Sequence, residues 1–286
     1  MRTEILYEDK IIMVIRKPAG LAVQSAGIGQ PDVVSELKSH LAKLPDTGRL
    51  GPGKGEPYLG IVHRLDQPVE GVMVLARTKE AAAALSAQAA GTDMQKTYVA
   101  VTRGVLPKVE GQLTDFLLRD GKTNTSRVVD RKTPGAKKAS LDYRILSVQT
   151  TEAKQSLVEI HLHTGRHHQI RVQFAHAGTS LVGDNKYGSM SNAVQEAGNG
   201  SVCVSSQVVE NATENLTIAP GRRHGVLKDT PALCACSLTF THPVTGQRLC
   251  VSCRPNNLAF AAFGVDKLPE PGIKYLISCD TGSEEE

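Results

Sequence analysis

Short apolar runs, broken by glycine, proline and charge, dominate the chain. Ile5 to Glu8 and Ile11 to Arg16 flank Asp9-Lys10, and Lys17-Pro18-Ala19-Gly20 ends the second run, which predicts a hairpin. Val33, Leu37, Leu41 and Leu44 then fall at helical spacing behind Asp32, a suitable N-cap, and Pro45 stops them. Asp46 to Pro57 is glycine, proline and charge, the pattern of a mobile loop able to close over a ligand. Gly60 to Val62 and Val72 to Ala76 are buried-strand patterns, and the loop between them carries Asp66. Thr78 caps an alanine-rich helix from about Lys79 to Ala90, ended by Gly91.

Beyond this helix the period changes to two. Thr97 to Thr102, Gln112 to Leu118, Ser140 to Val148 and Ser156 to His163 read as strands. Leu233 to Thr241 and Gln247 to Ser252 read as a hairpin around Pro243-Val244-Thr245-Gly246. Many strands with few helices predict an α+β fold, a large mixed and mainly antiparallel sheet flanked by helices. Residues 1–270 are expected to form one domain, with 189–230, poor in large apolar residues, as an extended loop or lid. Residues 271–286 are expected to be a C-terminal tail, disordered over the acidic Asp280 to Glu286.

Composition narrows the class without naming a chemistry. Forty per cent hydrophobic residues in 286 suffice for a sizeable core. No apolar run is long enough to span a bilayer, and Met1-Arg2-Thr3-Glu4 does not open a secretion signal, so a cytoplasmic protein with no membrane role is expected. The net charge of +4 is compatible with a polyanionic partner. Six late cysteines read as free thiols in a reducing compartment; a zinc site on Cys234, Cys236, Cys250 and Cys253 is the other way to read four of them.

Three polar runs could carry chemistry: His63-Arg64-Leu65-Asp66, Lys96-Thr97-Tyr98, and Thr164-Gly165-Arg166-His167-His168-Gln169-Ile170-Arg171. Taken singly, they are what turns, cross-strand packing and solvated helix starts also look like. In this order, and with Gly183-Asp184-Asn185-Lys186-Tyr187-Gly188 and Phe240-Thr241-His242-Pro243 behind them, they resemble the pseudouridine synthases of the large-subunit-rRNA A-type family. The resemblance implies the fold of that family over residues 1–270, as one catalytic domain. It implies a cofactor-free isomerase that turns uridine into pseudouridine in structured rRNA or tRNA, with no metal and no obligatory protein partner. A monomer is expected.

Carried over on matching positions, the resemblance makes Asp66 the catalytic aspartate, Tyr98 the ring that stacks on the uracil, and Arg171 the partner of the aspartate. Arg64 is expected to enter the RNA where the base has left its stack, with His63, Lys96 and Arg166 as further substrate contacts. Lys17 and Lys186 would widen the basic surface. Where the family has Thr-Ser-Gly two residues after the aspartate, this chain has Val69-Glu70-Gly71, and the added anion is expected either to disfavour an RNA phosphate or to raise the pKa of Asp66. Two rival readings use the same residues. One is an RNA-binding or assembly factor that has lost catalysis. The other is a metal-dependent hydrolase built on Glu159, His161, His163, His167 and His168.

Overall fold

The computed structural model describes residues 2–25, 27, 29–43, 57–150, 154–188 and 230–276. The loop expected to be mobile, the body of the 189–230 stretch and the acidic end of the tail lie outside these residues. The frame is one 12-stranded mixed sheet. Strands β1 (Glu4–Glu8) and β2 (Ile12–Lys17) form the first hairpin, as predicted; β3 (Gly60–Ile61) is short, and β4 (Glu70–Ala76) follows the Asp66 loop. The central and distal strands are β5 (Gln95–Arg103), β6 (Glu110–Asp120), β7 (Thr125–Val128), β8 (Lys137–Gln149) and β9 (Gln155–Leu162). β10 (Leu233–Thr241), β11 (Arg248–Ser252) and β12 (Gly272–Leu276) complete it.

Strand order runs β1-β2-β4-β10-β5-β9-β8-β6-β7, with β11 and β12 branching from β10 and β3 laid against β4. Pairing is antiparallel except between β4 and β10, where Cys234 and Ala235 run parallel to Glu70 and Gly71. Gly71 is required there: its φ is +135°, and a Cβ would lie 2.4 Å from the Ala235 carbonyl oxygen.

The central strands read as almost continuous apolar runs because both faces of the sheet are covered. On β4, Met73 and Leu75 join one core while Val72, Val74 and Ala76 join the other. On β5, Tyr98 and Ala100 share the first face, and Val99 and Val101 the second. Helix α1 (Val33–Leu41) buries Val33, Leu37 and Leu41 in the first core, and α3 (Gln169–His176) adds Ile170 and Phe174. Helix α2 (Lys79–Ala90) covers the second core with Ala81 and Leu85. The predicted caps are in place: Asp32 accepts from the Ser35 amide at 2.7 Å, and Thr78 from the Ala81 amide at 3.1 Å.

Two strands have no forecast in the apolar pattern. β7 holds four residues between polar turns, and β12 is a mostly exposed strand set by its pairing with β11 from Gly272↔Ser252 to Leu276↔Arg248. The sheet therefore extends past residue 270, into what the sequence reads as tail. Of the four cysteines weighed for zinc, Cys234 and Cys253 meet at 4.0 Å, but the four do not gather as a set. Cys234, Cys236 and Cys253 pack in the second core, whereas the Cys250 thiol bonds the Ser237 hydroxyl at 3.4 Å.

Candidate active site

Asp66 occupies the turn between β3 and β4, closed by the Val69 amide bonding the Asp66 carbonyl at 3.0 Å. Beneath this turn lies Lys17, fully buried. Its ammonium donates to the carbonyls of Pro18 (2.9 Å), Leu21 (2.8 Å) and Gln67 (3.0 Å), tying the end of β2 to the Asp66 loop. Burial pushes its pKa down to about 7, against the opposing pull of Asp66 and Glu70. Lys17 is thus a strut under the loop and no part of a solvent-facing basic surface. Lysine in a Lys-Pro turn reads as exposed, and only the tertiary structure brings three carbonyls around it.

The Asp66 carboxylate is 27% exposed and points into a cleft of about 1080 Å³. His63, Arg64, Lys96, Tyr98, Arg166 and Arg171 all line the same cleft, so the residues expected to be catalytic or to contact substrate are brought together, and Lys17 is not among them. Arg119 of β6 and Lys186 join them. Among the described residues lining the cleft, Asp66 is the one carboxylate, facing six lysines and arginines.

Arg171 stands 3.7 Å from Asp66, but its short bonds lie elsewhere. Its Nε and Nη2 donate to the two oxygens of Asp184, each at 2.7 Å, and its guanidinium lies 5.1 Å from the centre of the Tyr187 ring. Burial opposes the charge of Arg171, yet the bonds to Asp184 outweigh it and raise its pKa. Asp66 therefore shares a cation already oriented by a second carboxylate. Asp184 and Tyr187 are the residues whose roles sequence reasoning missed, although the run Gly183 to Gly188 that holds them stood out.

His168 completes the wall. Its Nε2 is 3.7 Å from Asp66, and its Nδ1 is 2.6 Å from the Tyr187 hydroxyl, which accepts the Ser126 amide at 2.9 Å. Which of the Tyr187 hydroxyl and His168 Nδ1 donates follows the tautomer of the ring, whose Nε2 faces Asp66. Burial, reinforced by Arg171, pushes His168 down to about 3, so the ring is neutral at physiological pH.

Burial also raises the pKa of Asp66, while Arg171 and Lys17 pull it down; the anion working against ionisation is Asp184. Glu70 is not that anion. It lies buried, accepting the amides of Asn256 (2.8 Å) and Asn257 (3.0 Å), with Arg16 at 3.6 Å. The departure Val69-Glu70 is thereby accounted for: Val69 packs in the first core at the cleft wall, and Glu70 anchors a distant loop.

Tyr98 is buried at the cleft floor, and burial with Asp66 nearby pushes its hydroxyl upward in pKa, so it stays protonated. His63 accepts the Val74 amide on Nε2 at 3.2 Å and, desolvated beside Lys96, falls to about 3; it braces β4 as a neutral ring. Arg64 is exposed, with no bond to any described residue. Arg166 donates to the Lys138 carbonyl at 3.0 Å. It precedes α3 rather than opening it: His168, with φ 53°, is the cap.

The residues of the metal-hydrolase reading separate onto two faces. Glu159 and His161 alternate with Val158 and Ile160, so they face away from the cleft, where Glu159 bonds Arg144 at 2.9 Å. His163 bonds Asp142 at 2.7 Å, while His167 stacks on His168 at 3.7 Å and bonds Ser126.

A two-faced sheet with a basic cleft around one carboxylate suits a polyanionic substrate, and comparison with known proteins specifies the family. The family described as RNA pseudouridylate synthase matches residues 11–176, and the chain belongs to it. It is 35% identical over 191 residues to ribosomal large subunit pseudouridine synthase D of Zymomonas mobilis, covering 66% of this chain and 57% of that protein. It is 37% identical over 185 residues to the protein of the same name from Pseudomonas aeruginosa, covering 65% and 53%. The chain thus spans a little over half the length of these relatives. The structure of human RNA pseudouridylate synthase domain containing 4 superposes with a TM-score of 0.58 at 27% identity, covering 88% of this chain and 89% of that one.

Proposed function

We propose that this chain converts uridine to pseudouridine in structured RNA, in the cleft around Asp66. The observation that carries the reading is the isolation of one reachable carboxylate among cations, above a flat aromatic floor. The reaction breaks the bond from ribose C1′ to uracil N1 and forms one from C1′ to C5, with the C5 proton passing to solvent and N1 taking up a proton in its place. The atoms of the nucleoside are otherwise conserved. An ionised carboxylate serves as nucleophile toward the sugar or as base, and Arg171 and Lys17 supply the positive charge that keeps Asp66 ionised.

Tyr98 offers a face on which the freed base turns while shielded from water. Its protonated hydroxyl makes it a platform and a hydrogen-bond donor, in place of the proton acceptor that a lower pKa would allow. Arg64, exposed at the rim and unbonded by described residues, suits the space left by a flipped nucleotide. Lys96 and Arg166 suit phosphate contacts. The names of the curated relatives make large-subunit rRNA the first substrate to test.

The test uses RNA tritiated at uracil C5. The wild-type protein is expected to release tritium from rRNA. Asp66→Ala is expected to release none while binding the same RNA within a few-fold of wild type. Tight binding without release by the wild type would sink the enzyme reading.

A further inference from the structure

Positive charge is unevenly placed in this molecule. Residues 119–138, which form the end of β6, all of β7 and the start of β8, hold seven lysines and arginines against two aspartates, a net of +5 where the whole chain has +4. The rest of the chain is therefore slightly acidic. β7 ends the strand order, so this charge wraps the free edge of the sheet.

Three further observations separate this edge from an ordinary solvated face. All seven cations are exposed. None forms an ion pair with a described residue, whereas Arg2, Arg16, Arg77, Arg144 and Arg171 elsewhere each face a carboxylate. The two aspartates are occupied in turns: Asp120 accepts from the Lys122 amide and the Thr123 hydroxyl, each at 2.9 Å, and Asp130 accepts from the Lys132 amide at 2.8 Å. The positive charge is left uncompensated.

The edge is also continuous with the cleft. Arg119 and Asn124 line the cleft; Lys186 of the cleft donates to the Asn124 carbonyl at 3.0 Å, and Arg166 to the Lys138 carbonyl. On the antiparallel β6–β7 pair, Arg119 lies opposite Ser126 on the side of the cleft, while Arg127 lies opposite Leu118 on the reverse side. A polyanion leaving the cleft past Arg119 meets cations on both faces of the edge.

The geometry points to the β6–β7–β8 edge as a second RNA-binding surface, which holds the phosphates of the strand flanking the target uridine and sets affinity without entering the chemistry. It rests on the proposed RNA substrate. Single phosphates could be held by one or two of these side chains; a run of cations this long fits a backbone with a charge on every residue.

The test replaces Arg127, Lys132, Lys137 and Lys138 together with glutamine, leaving every cleft-lining side chain in place. Two probes are compared, an extended uridine-containing rRNA stem-loop and its isolated loop. On the extended RNA the variant is expected to bind at least tenfold more weakly, with the slope of log Kd against log salt reduced by about 3, the counterion release of four lost contacts. On the isolated loop its affinity and its tritium release per bound complex should match wild type. Unchanged affinity for the extended RNA would overturn the inference, leaving the cations as guards against edge-to-edge strand pairing. Tighter wild-type binding to polyglutamate than to the extended RNA would overturn it in favour of an acidic protein partner. Failure of the isomerase reading is seen separately, as absence of tritium release from either RNA by the wild type while the binding difference persists.

Discussion

Asp66 and Lys17 are ionisable groups held against their preferences, and each leads to a measurement. For Asp66, burial raises the folded-state pKa above the ordinary 3.8. The proposed reaction needs the ionised form, so activity should fall as pH drops through a value above that of a free aspartate, seen as a displaced acid limb in the pH–rate profile. Ionisation correspondingly costs folding free energy. The contribution of the protonated carboxyl to stability is present below 3.8 and lost as pH rises through the raised value, so Asp66→Asn should be inactive yet more stable at neutral pH in urea unfolding. For Lys17, removal of the ammonium strands the carbonyls of Pro18 and Leu21, while that of Gln67 keeps the Gly20 amide; Lys17→Met should lose ~2–6 kcal/mol of stability at ~1–3 kcal/mol per unsatisfied group. Its kcat should fall with KM little changed, and a fully active variant would refute the strut. At this scale the sequence was informative where a local motif carried the placement, as at Asp66 and Tyr98, which both line the cleft. It was silent where the partner is remote: nothing local says that Arg171 is claimed by Asp184 or that Lys17 is buried.

Among the elements, the junction of β4 and β10 is the most exacting. Glu70 and Gly71 run parallel to Cys234 and Ala235 with no room for a side chain at Gly71. Gly71→Ala should destabilise the fold by ~3 kcal/mol or more, from overpacking against backbone combined with a positive φ. Thermal unfolding would measure it, and a loss below about 1 kcal/mol would show that the two strands can part without consequence. Helix α1, helix α2 and the strands with strong apolar patterning were legible, boundaries included within a residue or two for β10 and β11. β7 and β12 were not, since β7 is half-exposed, β12 is mostly exposed, and each owes its extended form to one neighbour. Nor does a pattern of alternation disclose that Val69-Glu70 leaves one residue at the cleft wall and turns the next to the other face of the sheet.

Over the whole molecule, α+β class and mixed sheet follow from the order of predicted elements, but the position of β10 does not. It lies between β4 and β5 although more than a hundred residues separate it from either in the chain. Cells make the chain from the N-terminus, so the portion bearing Asp66 and the portion bearing Tyr98 and Arg171 are both synthesised before the strand that joins them exists. Until then β4 and β5 each present a free edge, and long-range pairing of this kind is slow. A fragment ending at residue 232 is expected to aggregate or unfold without cooperativity in urea; a monomeric, cooperatively folding fragment would refute this. The sequence match to the family closes at residue 176, upstream of that strand. The residues proposed to carry the chemistry thus come off the ribosome as a kit in two parts, and the cleft is complete only once a segment with no charged side chain has been threaded between them.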